Sequence, residues 1–509
     1  MRKLIPIVLA ISVIAPFATK AQDVREANFQ FKQDNYPTAL KLYLPAYKKD
    51  TGNVDIAYAI GICKIRTNAA PAEALPYLLK AEPKYGQTED FQMALIRAYL
   101  YNQQFDKARE LCSKAEAKFK SSIEIDALKA YIGNAEKMIK KPLDVTFVNL
   151  GKGINSEMDE ITPMLTIDNE LLLYSSNRKY DTEVKEFTWD VLHSASDAGD
   201  FKKNRAATGV NTVENEIMAG LSVGSGEIYF QQEAYGIERD IIMSGIENGT
   251  LKGKNILPPT INTRNLEQGA TSTASGDTMI FSSAGLGGQG GLDLFYSVRL
   301  PNGDWCAPTN LGSLNTKYDE SYPMLSADCK KLYFCSNGLN SMGGYDIFVC
   351  DIDLKTFKTG EPKNIGYPLN DMYDNLTISY TLDGTYAYVS AIRPDSYGYA
   401  DIYRVVFNEK DPMVKMYIVK LVTQQGDQSV DFGETDTNLK ISVYTKNKTL
   451  FGTYNYNPAA SNVVVALLPG NYTLEIEGGS IEPFSMKINV PNAPGKKIEN
   501  TKAVLKIKK

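Results

Sequence analysis

Histidine is almost missing. His193 is the only one in 509 residues, which excludes zinc sites built on several imidazoles and any triad whose histidine follows a nucleophile located beyond position 193. Cysteine is sparse and unpatterned. Cys63, Cys112, Cys306, Cys329, Cys335 and Cys350 contain no C-x-x-C spacing, so thiolate metal centres have no framework, and a chain this long does not need disulfide staples. Cys335 and Cys350 are the pair spaced for neighbouring strands; buried free thiols are expected. Basic charge is short as well: 55 Lys and Arg face 60 Asp and Glu, a balance that argues against a nucleic-acid role. Beyond Phe17 no apolar run approaches the roughly 18–20 residues of a membrane-spanning helix.

The opening MRKLIPIVLAISVIAPFATKAQD has Arg2 and Lys3, an apolar run from Leu4 to Phe17, and Thr19 and Ala21 at the spacing of a signal-peptidase site. Residues 1–21 are therefore expected to be an export leader, with the mature chain beginning at Gln22. No cysteine follows the cleavage point to carry a lipid. An exported protein with no membrane span is expected.

Residues 22–141 are rich in Ala, Lys and Leu at helical spacing, and they repeat. In NYPTALKLYLPAY, APAEALPYLLKA and QFDKARELCSKA, the positions Ala39, Ala74 and Ala108 coincide, as do Ala46, Ala81 and Ala115. The steps of 35 and 34 residues, with a small residue where two helices cross, resemble the tetratricopeptide repeat. The resemblance implies an N-terminal α-solenoid of stacked helical hairpins with a concave groove for a partner, or helices that pack only against the next domain.

From 142 to 410 the texture changes to short strands, turns and frequent Gly, with a second repeat near 53 residues. Asn155, Asn211, Asn262, Asn315 and Asn370 recur; so do Glu160, Glu216, Glu267 and Glu320, with Asn375 as the departure; so do Asp190, Asp240, Asp293, Asp346 and Asp401. Five copies of a four-strand unit are the size and number of a five-bladed β-propeller. The P-x-L-S-x-D, L-Y-F-x-S-N and G-G-x-D-I-F of the fourth copy resemble the WD40-like, TolB-type repeat. Each Asp is expected to take local amides at a hairpin turn and to tie neighbouring turns around the ring. Leu143 to Leu150 has the sequence of an outer strand with no blade before it, and the copy at Asp401 to Val405 lacks one after it. Pairing the two closes the ring.

Two motifs are decoys. Gly285, Gly287 and Gly290 spell G-x-G-x-x-G, but the LDLFY that follows alternates like a strand, where a dinucleotide site needs a helix. Gly220 to Gly224 spells G-x-S-x-G around Ser222, but no histidine comes later and the segment aligns with a blade strand. His193 falls on a variable strand position. No cofactor and no metal site are expected.

Residues 411–509 are again strand-like, and the ALLPGNYTLEIEGG at 466–479 resembles the late strands of carboxypeptidase-regulatory-like β-sandwiches. Leader, tetratricopeptide stack, propeller and C-terminal sandwich in this order resemble the PorE-like, OmpA-family modular envelope proteins of Bacteroidota, which are associated with type IX secretion. Those proteins end in an OmpA-like domain that binds peptidoglycan; here the sandwich ends at Lys509, so no peptidoglycan-binding domain is expected. The resemblance implies a non-catalytic periplasmic scaffold associated with the outer membrane, holding envelope proteins in the helical groove and on a propeller face. The other classes are a glycan- or peptide-binding sensor and a hydrolase, or accessory subunit, using propeller-face carboxylates such as Glu183, Glu186 or Glu233.

Overall fold

The computed structural model describes residues 15–508 apart from 68–69, 184, 198–199, 235–236, 248–249, 383, 409–414, 426–427, 433–438, 458–460, 479–480 and 492–497. The first 14 residues of the expected leader lie outside the described residues, and helix α1 (Ala15–Lys32) runs through its cleavage point. Helices α2 (Tyr36–Lys49), α3 (Val54–Arg66), α4 (Ala74–Tyr85), α5 (Glu89–Tyr101), α6 (Phe105–Phe119) and α7 (Ile123–Met138) follow. Polar caps start three of them. Asn35 accepts from Thr38 at α2, Asn53 from Asp55 and Ile56 at α3, and Ser122 from Ile125 at α7, meeting amides that the first turn leaves unpaired. Ala39, Ala74 and Ala108 fall on α2, α4 and α6, and each is fully buried. A side chain no larger than methyl is what lets two helix backbones approach closely.

Strands take over at Val145. Five antiparallel sheets succeed one another, with inner strands Glu160–Leu165, Asn215–Leu221, Glu267–Ser272, Glu320–Leu325 and Ile378–Tyr380. No sheet closes on itself. The outer strand of the fifth comes from the far end of the region: Val145–Asn149 pairs antiparallel with Asp401–Phe407, Val145 opposite Phe407 and Asn149 opposite Tyr403. The chain enters and leaves side by side, Asn408 donating from its backbone and side chain to Asp144 at 3.2 and 2.8 Å.

The five sheets follow one another in a cycle, in a propeller-like arrangement. The second packs on the third through Tyr229, Phe281 and Phe295, the third on the fourth through Leu294, Leu332 and Phe334, and the fifth on the first through Tyr388, Ile402, Leu172 and Tyr174. An axial cluster including Met164, Met218, Met324 and Ile378 lies where the inner strands converge. Alternation explains this: every second residue of an inner strand points to one neighbouring sheet.

Residues 415–508 form two further four-stranded sheets. Val419, Leu421, Val463 and Val465 of one join Ile441, Val443, Leu474 and Ile476 of the other in a single apolar cluster. The strand Ile498–Leu505 pairs parallel to Met416–Thr423. All six cysteines are free thiols, and Cys335 stands opposite Ile347, while Cys350 stands opposite Leu332. Burial pushes the Cys350 thiol up to about 12.

Candidate binding faces of the sheet ring

The five asparagines perform one act. Asn370 accepts from the amide of Ile347 and donates to its carbonyl, both at 2.8 Å. Asn211 does the same to Val191, Asn262 to Ile241 and Asn315 to Leu294, at 2.8 to 3.0 Å. Asn155 holds Ile402 of the fifth sheet, at 2.8 and 3.0 Å, so the first repeat grips the last. A carboxamide presents a donor and an acceptor in the geometry of a peptide group, so it continues a ladder where the backbone is crossing to the next sheet. A carboxylate has no donor for the carbonyl, which is why the position is Asn in every copy.

The glutamates brace the loop that follows. Glu320 accepts from the amide and hydroxyl of Thr316 at 2.7 and 2.8 Å and from Ser336 at 2.7 Å. Glu267 accepts from Thr263 and Ser283, Glu216 from Thr212 and Gln232, and Glu160 from Ser156, Ser176 and Arg178. All four are fully buried, and burial raises each carboxyl, that of Glu320 to about 7. The fifth repeat reverses the polarity: Asn375 accepts from the amide of Asp371 at 2.8 Å, and the acid now sits four positions earlier. A Ser or Thr four residues before Glu was visible in the sequence as a recurring spacing.

The aspartates differ from expectation. Asp293, Asp346 and Asp401 do accept turn amides, from Gln289 and Gly290, Met342 and Tyr397 respectively. Asp190 and Asp240 instead lie inside the strands Glu186–Asp197 and Ile237–Glu247, opposite Ser176 and Gln232. Nor do Asp293, Asp346 and Asp401 carry the tie from one sheet to the next. Asp346 and Asp401 take their other bond from Asn364 and Asn149, of the outer strands of their own sheets. That tie falls to other acids: Asp319 accepts from the Leu292 amide, Asp374 from that of Tyr345 and Asp159 from that of Ala400, each across to the neighbouring sheet.

Neither decoy has its helix. Gly287 adopts a φ of +74°, a Cβ on Gly290 would lie 1.7 Å from the Tyr318 carbonyl oxygen, and the strand Asp293–Val298 follows. The Ser222 hydroxyl accepts from the Glu227 amide in a strand-to-strand turn. His193 pairs across from Leu173, with burial and Arg205 lowering its pKa. Among the described residues no group of three or more His, Cys, Asp or Glu could hold a metal ion. Among the described residues no helix is long and apolar enough to cross a membrane.

The two ends of the ring differ. At the end where the inner strands begin, the helices cover it. Met342 and Met372 are buried in the apolar cluster of α5, α6 and α7, Tyr131 donates to the Asn337 carbonyl, Asn134 to that of Ser341 at 2.9 Å, and the rings of Tyr101 and Tyr373 lie 5.1 Å apart. Lys41 sits 3.9 Å over Tyr180 on the long hairpin of the first sheet. The side of the stack formed by α1, α3, α5 and α7 therefore faces the ring, across a cavity of about 320 Å³ lined by residues such as Tyr58, Arg66, Asp90, Arg97 and, from the ring, Gly343 and Asp374.

At the other end the inner strands finish in an open funnel of about 560 Å³. All five sheets line it, through Met164 and Leu165, Leu221, Thr271, Met324 and Leu325, and Ile378 to Tyr380. Tyr333 and Phe407 flank Tyr380, with ring centroids 5.4 and 5.7 Å from it. Below the mouth the backbones close in, since a Cβ on Gly269 would lie 2.6 Å from the Tyr322 Cα. Leu382 projects at the rim with 65% of its surface exposed. Asp328 is the one carboxylate among the described lining residues. Its Oδ1 accepts from the Ser326 hydroxyl and the Lys330 amide, which hold the carboxyl below its usual range.

No protein-family model matches the chain, and no curated protein does. Among solved structures it is similar to a putative TolB from Agrobacterium tumefaciens at 13% identity, covering 51% of this chain and 77% of that one with a TM-score of 0.31. It is similar to TolB from Acinetobacter baumannii at 14% identity, over 51% of this chain and 62% of that one, TM-score 0.31. It is also similar to the β-propeller domain of the Trilobed protease from Pyrococcus furiosus at 10% identity, over 67% of this chain and 100% of that one, TM-score 0.25.

Proposed function

We propose that the chain is a non-catalytic scaffold of the bacterial envelope, in which a helical solenoid (22–141), a five-bladed propeller (142–410) and a C-terminal β-sandwich (411–509) present rigid faces to other envelope proteins. In this reading the leader 1–21 sends it to the periplasm, where it joins an outer-membrane-associated assembly of the type IX secretion kind. The observation that carries the reading is the open funnel. Its walls carry apolar and aromatic side chains interspersed with hydroxyls such as those of Ser222, Thr271 and Ser379, and its described carboxylate is committed to its own turn, whereas acid-base hydrolysis of a glycoside calls for two acids across a scissile bond. A preformed concave surface loses little conformational freedom on binding. The helical groove has the ring as its first occupant, so the open face is where a partner docks.

The test is a photo-cross-linking side chain at Leu382 in cells that make the protein. Cross-links to a small set of envelope proteins are expected. Labelling no greater than at Ile256, an equally exposed residue on an outer strand, would remove the docking face. The cavity between helices and ring favours one further reading, a sensor of a small ligand that bridges the two; a ligand-dependent rise in melting temperature lost in Arg97→Ala would mark it.

A further inference from the structure

The funnel mouth is built from five turns, residues 166–171, 222–227, 273–278, 326–331 and 381–386, that join each inner strand to the next. These segments hold six acids, Asp168, Glu170, Glu227, Asp277, Asp328 and Asp383, against Lys330 and Lys331; Asp383 lies outside the described residues. Lys331 is already engaged by Asp351 at 3.3 Å. Asp168, Asp277 and Asp328 are exposed, and each accepts a hydroxyl from its own turn, from Thr166, Thr273 and Ser326 at 2.6 to 2.7 Å. Those bonds hold all three carboxyls below their usual range, so the charge persists in mild acid. Of these, Asp328 lines the funnel and Asp168 and Glu170 the groove beside it, so negative charge stands at two sides of the mouth.

The funnel also has a neighbour. A groove of about 620 Å³ runs between the first and second sheets, lined by Asp168, Glu170, His193 and Arg205 among others. Ile167 and Ser225, hydrogen-bonded to each other at 2.8 Å, line both the groove and the funnel, so the two adjoin across one shared contact. A compact plug would fill the funnel alone. A chain seated in the funnel would continue over that contact into the groove, past Asp168 and Glu170 and beside Arg205.

Resting on the reading of the open end as the docking face, we infer that this face takes an extended polypeptide segment with an apolar tip and basic flanks, the tip seated in the axial funnel and a Lys- or Arg-bearing flank lying along the groove. Opposite charge steers such a segment to the mouth and sets its direction once the tip is buried. The same carboxylates repel nucleic acid and anionic lipid surfaces.

A random nonapeptide display library selected on the immobilised full chain tests this, with two variants beside the unaltered protein. One carries Asp168→Asn, Glu170→Gln, Asp277→Asn and Asp328→Asn, which remove charge while keeping an acceptor oxygen in each turn. The other is Leu382→Glu, at an exposed rim position. Expected is enrichment of sequences with an apolar centre flanked by Lys or Arg, binding roughly tenfold more weakly when salt is raised about tenfold. The neutralised variant should still enrich the apolar centre but lose the basic flanks. Apolar enrichment without basic flanks, or flanks that persist on the neutralised variant, overturns the inference and leaves the docking face standing. No enrichment over Leu382→Glu overturns the docking face itself.

Discussion

The helical stack and the ring of sheets are both repeats, but opposite kinds of residue keep them in register. In the helices the recurring positions are Ala39, Ala74 and Ala108, buried and without a hydrogen bond to make. In the sheets they are Asn and Glu, buried except for the half-buried Asn211 and bonded at the polar atoms that face the crossover. A helix satisfies its own backbone, so stacking helices is a matter of shape alone. A chain that leaves one sheet and enters the next strands amides and carbonyls on the way, and burying these without partners is costly. Shape tolerates gradual change, whereas a missing donor does not.

The largest effect that would expose this contrast comes from removing the closing strand. Deleting residues 143–150 strips the fifth sheet of Val145–Asn149 and leaves the edge Asp401–Phe407 unpaired, so the ring should unfold or aggregate as a whole rather than lose a loop. Size-exclusion chromatography and calorimetry would detect it. A soluble monomer with an unchanged transition would show that closure is not what holds the sheets together.

Next in size is Asn370→Ala, which leaves the buried amide and carbonyl of Ile347 without partners. A cost of about 2–4 kcal/mol is expected from two unsatisfied groups. Asn370→Asp should rescue little, because its carboxylate would face the carbonyl of Ile347. Equal stability of Asp and Asn in urea unfolding would refute the donor-and-acceptor account of the five asparagines.

On the helical side, Ala108→Leu should overpack the α5–α6–α7 cluster at a cost of about 1–3 kcal/mol. Thermal unfolding followed by helical circular dichroism checks it. Ala108→Gly and Ala108→Ser should be much milder, since shape rather than bonding decides there. A leucine variant as stable as the parent would put the helix crossing elsewhere.

The smallest effect is a slope. Burial raises the Glu320 carboxyl to about 7, above its ordinary value near 4.3. Between those values the folded protein binds more protons than the unfolded chain. The stability this group contributes is therefore complete below about pH 4.3 and is lost as pH rises through about 7. Glu320→Gln should flatten the fall in the urea midpoint across that interval. An unchanged slope would mean that the carboxylate is accommodated at no cost by Thr316 and Ser336.

By itself the sequence determined the two repeats, the placing of helices before strands, and the strand that closes the fifth sheet. It could do so because each repeat depends on short-range complementarity: alanine at a helix crossing, Thr316 four residues before Glu320, and Asn370 a fixed distance after its outer strand. It also disposed of the Gly285 and Ser222 motifs, since the helix each requires was legibly a strand. Only the tertiary structure decided which groups join sheet to sheet, that Asp190 and Asp240 lie within longer hairpins, and that the fifth repeat exchanges Glu for the Asp371–Asn375 pair beside the docked helices. It alone also decided that the helical groove faces the ring and that the opposite end is an open funnel beside a groove. Those features depend on residues brought together across hundreds of positions, such as Tyr131 with Asn337 or Ile167 with Ser225, and local periodicity records which face a side chain occupies, not what that face will meet.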